Sequence, residues 1–126
     1  MQIGDTFAAW ELPITPTLVV STAIATRDFQ DVHHDRDLAT SYGSKDIFLN
    51  ILTTTGLVER YVTDVLGEEY DVTGISVRLG APAYPYDTLT FSGDVVAATE
   101  TTMEIKVVGQ VSLGAHVTAT VGVRVR

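Results

Sequence analysis

Ile47-Phe48-Leu49-Asn50-Ile51-Leu52-Thr53-Thr54-Thr55-Gly56-Leu57-Val58-Glu59-Arg60-Tyr61-Val62-Thr63-Asp64-Val65-Leu66-Gly67 is the stretch on which the fold turns. Its apolar positions Ile47, Ile51, Val58, Tyr61, Val62, Val65 and Leu66 recur largely at three- and four-residue intervals, the period of one helical face. Gly67 follows as the C-cap. The spacing predicts one helix over Ile47–Leu66, about five turns long, apolar enough to be deeply buried. Thr53-Thr54-Thr55-Gly56 is poor helix material by propensity, so tertiary packing must hold that turn. Close approach of another backbone at Thr55-Gly56 would account for the small residues there.

Downstream the period changes to two. Met103, Ile105, Val107, Val111 and Leu113 share one face with Gly109 as the gap, and after Gly114-Ala115 the positions Val117, Ala119, Val121, Val123 and Val125 point inward. His116, Thr118, Thr120, Gly122, Arg124 and Arg126 then face the other way. Leu89, Phe91, Val95 and Ala97 make a further strand, with Gly93 as a bulge or close-packing point. Val72–Leu79 makes another. Pro82 and Pro85 cannot sit inside a central strand, so the segment between these two strands is a connection in which Tyr84 and Tyr86 are expected to pack. The second half is thus an antiparallel meander of about four strands. Upstream, Thr17–Thr26 is rich in Val and Thr, yet Thr15-Pro16 ahead of it reads as an N-cap with proline at N1, which favours a helix. A long buried helix followed by an antiparallel meander makes an α+β domain, residues 1–126, in which a curved sheet wraps the helix. The hot-dog fold has that layout; cystatin-like and other helix-on-sheet folds share the periodicity.

Composition narrows the function. The chain has 126 residues, a net charge of −8 and no cysteine. A phosphate backbone is repelled by that charge, so no nucleic-acid role is expected. Without cysteine there is no disulfide framework, thiolate metal site or cysteine nucleophile. Met1-Gln2-Ile3-Gly4-Asp5 lacks the basic start and apolar run of a signal peptide. The charge-free stretch Leu12–Thr26, 15 residues long, is too short and too polar to span a bilayer. These bounds predict a cytoplasmic protein with no membrane partner.

The chemistry lies in Arg27-Asp28-Phe29-Gln30-Asp31-Val32-His33-His34-Asp35-Arg36-Asp37-Leu38-Ala39, which holds two of the three histidines. Histidine titrates near neutrality and a neighbouring carboxylate orients and tunes it, so such a pair suits acid–base work. Three readings compete. One is a solvated loop whose acids and histidines pair with Arg27 and Arg36. Another is a metal site drawn from Asp31, His33, His34 and Asp35, disfavoured because adjacent histidines diverge and only His116 offers a distant third; no metal is expected. The third is a general acid–base dyad.

Asp28, His33 and Ala39 satisfy D-x(4)-H-x(5)-A, and the segment resembles the motif of the MaoC-like (R)-specific enoyl-CoA hydratases, with the family's Asn-Pro replaced by Gln30-Asp31 and the trailing acid kept as Asp35. His34 would break the spacing. The resemblance extends over Ser21–Asp64, Tyr86–Gly93 and His116–Val121, and over that length the chain is similar to the small catalytic subunits of two-component MaoC-like hydratases of bacterial cholesterol side-chain degradation. What this implies is a hot-dog subunit carrying Asp28 and His33 as catalytic residues, with Asp28 as main general base and His33 orienting a water and shuttling its proton; the reverse division stays open. It further implies a second MaoC-like subunit that has lost the dyad, an α2β2 heterotetramer, and contact through the partner with a downstream thiolase-like aldolase. The substrate would be a steroid enoyl-CoA with a three-carbon side chain, and no cofactor is needed, coenzyme A being part of the substrate. In the family a backbone N–H at the start of the central helix holds the developing oxyanion. Where hydratases commonly carry His-Gly, this chain has Asn50-Ile51, so Ile51 would offer its N–H and Asn50 its side-chain amide. Arg27, Arg36, Lys45, Arg60, Arg78, Lys106, Arg124 and Arg126 are too few to hold all the coenzyme A phosphates alone, which leaves much of the nucleotide contact to the partner. The rival readings are a hot-dog thioesterase, which does not explain the Asp28–His33 spacing, and a non-catalytic partner subunit, which does not explain why both are retained.

Overall fold

The computed structural model describes all residues, 1–126, and its element order follows where each hydrophobic face goes. Strand β1 (Thr6–Pro13) leads into helix α1 (Pro16–Ala25); a 3₁₀ turn (Asp31–His33) and the short helix α2 (Arg36–Ser41) precede the long helix α3 (Ile51–Leu66). After a second 3₁₀ turn at Gly67–Glu69 come β2 (Tyr70–Leu79), β3 (Thr88–Ala98), β4 (Thr102–Val111) and β5 (Gly114–Val125). All five strands form one antiparallel sheet in the order β1-β3-β4-β5-β2. No helix is long and apolar enough to cross a membrane.

Helix α3 lies across one face of this sheet. Val58, Tyr61 and Val62 of α3 are buried in a single core with Phe91, Val95, Ile105, Val107, Val117, Ala119 and Val121 from the strands. Burying a side chain of that kind is worth roughly 1.5–3 kcal/mol, which holds the threonine-rich turn in helix against its propensity. Tyr61 also donates from its hydroxyl to the Ala8 carbonyl at 2.8 Å. That carbonyl lies where β1 bulges, the register shifting by one residue between Phe7 and Trp10.

Five expectations are revised. Only β3, β4 and β5 form a meander; β2 pairs with β5 at the far edge of the sheet, and β1, unforeseen, adds the opposite edge. The long helix begins at Ile51, because Ile47–Asn50 runs extended, with Phe48 N–H donating to Val32 and Leu49 N–H to Ala83. A Cβ added at Gly56 would meet nothing, so no backbone of this chain crosses Thr55-Gly56. Bulges reverse two facing assignments: β3 carries an extra residue at Val96, which turns Ala98 rather than Ala97 to the core, and β5 carries one at His116, which buries a residue expected to face outward. Leu113 sits at the hairpin tip, 66% exposed, and Tyr86 is exposed beside it, while Tyr84 does pack edge-on against Phe48. Gly93 is a close-packing point: a Cβ there would lie 3.0 Å from the Phe7 ring. Thr15 caps α1 with Pro16 at its first position, as read from the sequence.

Candidate active site

Asp28 is placed by the end of α1. The Arg27 N–H donates to Ile24 and the Asp28 N–H to Ala23, the paired bonds of a Schellman cap in which Arg27 takes the left-handed position at φ 56°. A β-carbon at that position costs about 1–2 kcal/mol, which is why glycine usually fills it. The turn swings Asp28 back over α1 toward the start of α3. His34 Nε2 donates to the Asp28 carbonyl, fixing the backbone of the acid rather than its carboxylate, while its ring stacks on Phe29.

His33 reaches the same place from the following 3₁₀ turn. Phe48 N–H donates to Val32 at 3.2 Å and His33 Nδ1 donates to the Phe48 carbonyl at 2.7 Å, so two bonds clip the turn to the extended entry of α3. A carbonyl only accepts, so Nδ1 carries the proton and Nε2 is left toward Asp28. His33 Nε2 stands 3.5 Å from Asp28 Oδ2, just beyond direct hydrogen-bond distance. His33 is buried and Phe48 lies edge-on to its ring.

Asn50 holds the acid. Its Nδ2 donates to Asp28 Oδ2 at 3.1 Å and to Thr26 Oγ1 at 2.9 Å, and its Oδ1 accepts from Thr53 N–H at 2.8 Å as the N-cap of α3. Both amide hydrogens are therefore taken up, and Asn50, 3% exposed, has none left for an oxyanion. The amide holds the Asp28 carboxylate instead. Burial alone would raise the Asp28 pKa. The Gln30 N–H, the Asn50 amide and the electrostatic pull of the neighbouring His33 and His34 outweigh it and hold the carboxyl below its ordinary value. Ile51 is the first helical residue of α3, where the backbone N–H has no partner within the helix, and its side chain is exposed.

Three further polar residues of the segment do structural work. Asp35 caps α2 through Leu38 N–H, Arg36 makes a two-pronged pair with Asp46 outside the segment at 2.8 and 2.6 Å, and Asp31 accepts from the Tyr42 hydroxyl. The two neighbouring histidines diverge, one to Phe48 and one to Asp28, and His116 is bonded elsewhere, so no three ligand side chains converge. Thr26 and the Phe48 carbonyl, both essential to the geometry, carry no sequence signal; they are found only once the chain is folded.

A five-stranded antiparallel sheet wrapped on one long helix is a hot-dog domain, and here an aspartate and a histidine face each other at the helix entry. The MaoC like domain family matches residues 1–117. Over 124 residues, 98% of this chain and 96% of the relative, the sequence is 61% identical to the 3-oxo-4,17-pregnadiene-20-carboxyl-CoA hydratase beta subunit of Mycobacterium tuberculosis. A chain in the crystal structure of the ChsH1-ChsH2 complex from Mycobacterium tuberculosis matches with a TM-score of 0.96 at 56% identity, covering 98% of each chain. The (R)-hydratase from A. caviae involved in PHA biosynthesis shares the fold, with a TM-score of 0.90 at 18% identity over 100% of this chain and 98% of that one. The chain belongs to the MaoC-like domain family.

Proposed function

We propose that this chain is the catalytic subunit of a heteromeric MaoC-like hydratase that adds water across the 2,3 double bond of a steroid enoyl-CoA with a short side chain. The observation that carries the reading is the facing pair, Asp28 Oδ2 and His33 Nε2 at 3.5 Å, each anchored by its own turn. The substrate class rests on the 61% identity to a hydratase subunit whose name specifies a pregnadiene carboxyl-CoA.

One water donates to both acceptors and presents its oxygen to the β-carbon. As the C–O bond forms, Asp28 receives a proton from the water, and the charge moves through the conjugated system to the thioester oxygen. His33, held by Phe48, orients the water, takes that proton from Asp28 at its Nε2 and delivers it to the α-carbon, so that one water is added, both side chains return to their starting state and nothing is oxidised or reduced. Asp28 enters this cycle ionised at neutral pH, since its pKa lies below the ordinary carboxylate value. The Ile51 N–H, pointing out of the positive end of α3, is the donor we assign to the developing oxyanion. Positioned acid–base groups of this kind contribute about 10²–10⁴-fold each. Hydration is redox-neutral and coenzyme A arrives with the substrate, so the step calls for no cofactor or metal, and the proposed CoA thioester substrate supports a cytoplasmic location.

The partner we propose is a second MaoC-like subunit, in an α2β2 assembly. A heteromer is supported by the match to a chain of a two-component complex, and by β2, an edge strand with one side unpaired. The partner would supply much of the nucleotide contact that a chain of charge −8 is poorly equipped to make. Its association with a downstream thiolase-like aldolase rests on the sequence resemblance alone.

The test is hydration by the assembled D28N and H33A variants. Each should lose at least about 100-fold in kcat while still associating with the partner, and no free thiol should appear. Full activity in both variants, or release of coenzyme A thiol, would overturn the assignment.

A further inference from the structure

A second buried polar contact lies one turn into α3, outside the dyad. At β5 the register slips between Gly109 and Gln110, so that Val117 faces Gly109, Ala115 faces Gln110, and His116 is the extra residue. A bulge of this kind turns two successive side chains to one side of the strand. His116 is accordingly 2% exposed beside a fully buried Val117, although strict alternation would send it to solvent. Its Nδ1 donates to the Ala81 carbonyl at 2.8 Å, which leaves Nε2 to accept the Thr54 hydroxyl at 2.7 Å. Burial lowers its pKa, partly offset by the Ala81 carbonyl, so the ring is neutral at pH 7.

The ring therefore joins three elements through one side chain: β5, the connection after β2, and α3. That connection is held against β5 by Gly80 N–H to the His116 carbonyl and Ala81 N–H to the Ala115 carbonyl, both 2.8 Å, and only glycine fits at position 80 against the Ala115 backbone. Leu49 N–H donates to Ala83 in the same connection, and Thr54 N–H donates to the Asn50 carbonyl. The residues tied down on either side of this contact are Phe48, which orients His33, and Asn50, which holds Asp28.

We propose that His116 and Thr54 are positioning residues for hydration: their hydrogen bond sets the entry of α3 against the 80–83 connection, and through Phe48 and Asn50 fixes the separation of the dyad. This rests on the hydratase reading of Asp28 and His33. Neither residue touches the reacting atoms.

The test is T54V beside T54S in the complex with the partner, since T54V keeps the shape and removes only the hydroxyl, whereas truncating His116 threatens folding. At a temperature where every variant is fully folded, T54V should lose about tenfold in kcat with KM within twofold, and T54S should recover most of it. The ¹⁵N shifts of His116 should show the Nδ1–H tautomer in the wild type. Unchanged kcat in T54V, an equal loss in T54S, or a His116 protonated at Nε2 would each overturn the proposal while leaving the hydratase reading intact. A wild-type complex that hydrates no enoyl-CoA would instead sink the hydratase reading, and the positioning role of His116 and Thr54 with it.

Discussion

Replacing Asn50 by aspartate puts an oxygen where the amide nitrogen now donates to Asp28 Oδ2 at 3.1 Å. The cap survives, because a carboxylate accepts from Thr53 N–H as readily as the amide oxygen does. What changes is electrostatic. Two carboxylates at about 3 Å repel by about 5 kcal/mol at the effective dielectric of 20 that suits protein sites, equivalent to about 3–4 pH units. Two such groups do not both ionise; they share one proton and titrate as a pair. Asp28 now lies below its ordinary 3.8, and in N50D one member of the pair should hold its proton until near neutrality. The wild-type activity should therefore show the carboxylate's acid limb below pH 3.8, whereas N50D should show a limb displaced upward by several units. Carboxyl ¹³C titration gives the same quantity without turnover. Thermal unfolding at pH 8 separates the effect from helix loss, because the cap is retained. An N50D enzyme whose acid limb and carboxyl shifts match the wild type would refute the claim that residue 50 lies against the Asp28 carboxylate and helps set its charge.

Two other consequences concern stability. R27G relieves the left-handed strain at the α1 cap at some entropic cost, and should stabilise the protein by about 0.5–1 kcal/mol, read as a midpoint a few degrees higher; a lower midpoint would show that the arginine side chain holds the turn. His116 has a folded pKa below its unfolded 6.5, so below that pH the unfolded chain binds the extra proton. Stability should be unaffected by this group above about pH 6.5 and fall as pH drops from there to the lowered folded value, a slope absent from H116N and visible in urea midpoints across that range.

The legible parts of this fold are those decided locally. Asp28 and His33 lie on consecutive turns, so their spacing survives in the sequence, and the period of α3 follows from a face that is buried along most of its length. Gly67, at φ 74°, ends α3 where a glycine signal predicts it. What escaped the sequence was controlled by bulges and by distant partners. In β1 the slip between Phe7 and Trp10 breaks the alternation that would have marked a strand, and in β5 the same device turns His116 inward. The neighbour of β2 is set by packing around α3, which no periodicity encodes. Asn50 looks like a cap or an amide donor; only its 22-residue reach back to Asp28 shows what the amide does. The bulge in β5 had one cue, Gly114-Ala115, where the alternation restarts immediately before His116.

In the proposed enzyme this chain carries the hydrating dyad and a second MaoC-like subunit completes the site. Loss of enoyl-thioester absorbance, followed with a steroid enoyl-CoA and the chain alone or co-expressed with such a partner, tests it most directly. Activity in the complex, abolished by D28N in this chain, is the predicted result. A folded, associated complex that leaves the absorbance unchanged, or one that D28N does not impair, would contradict it.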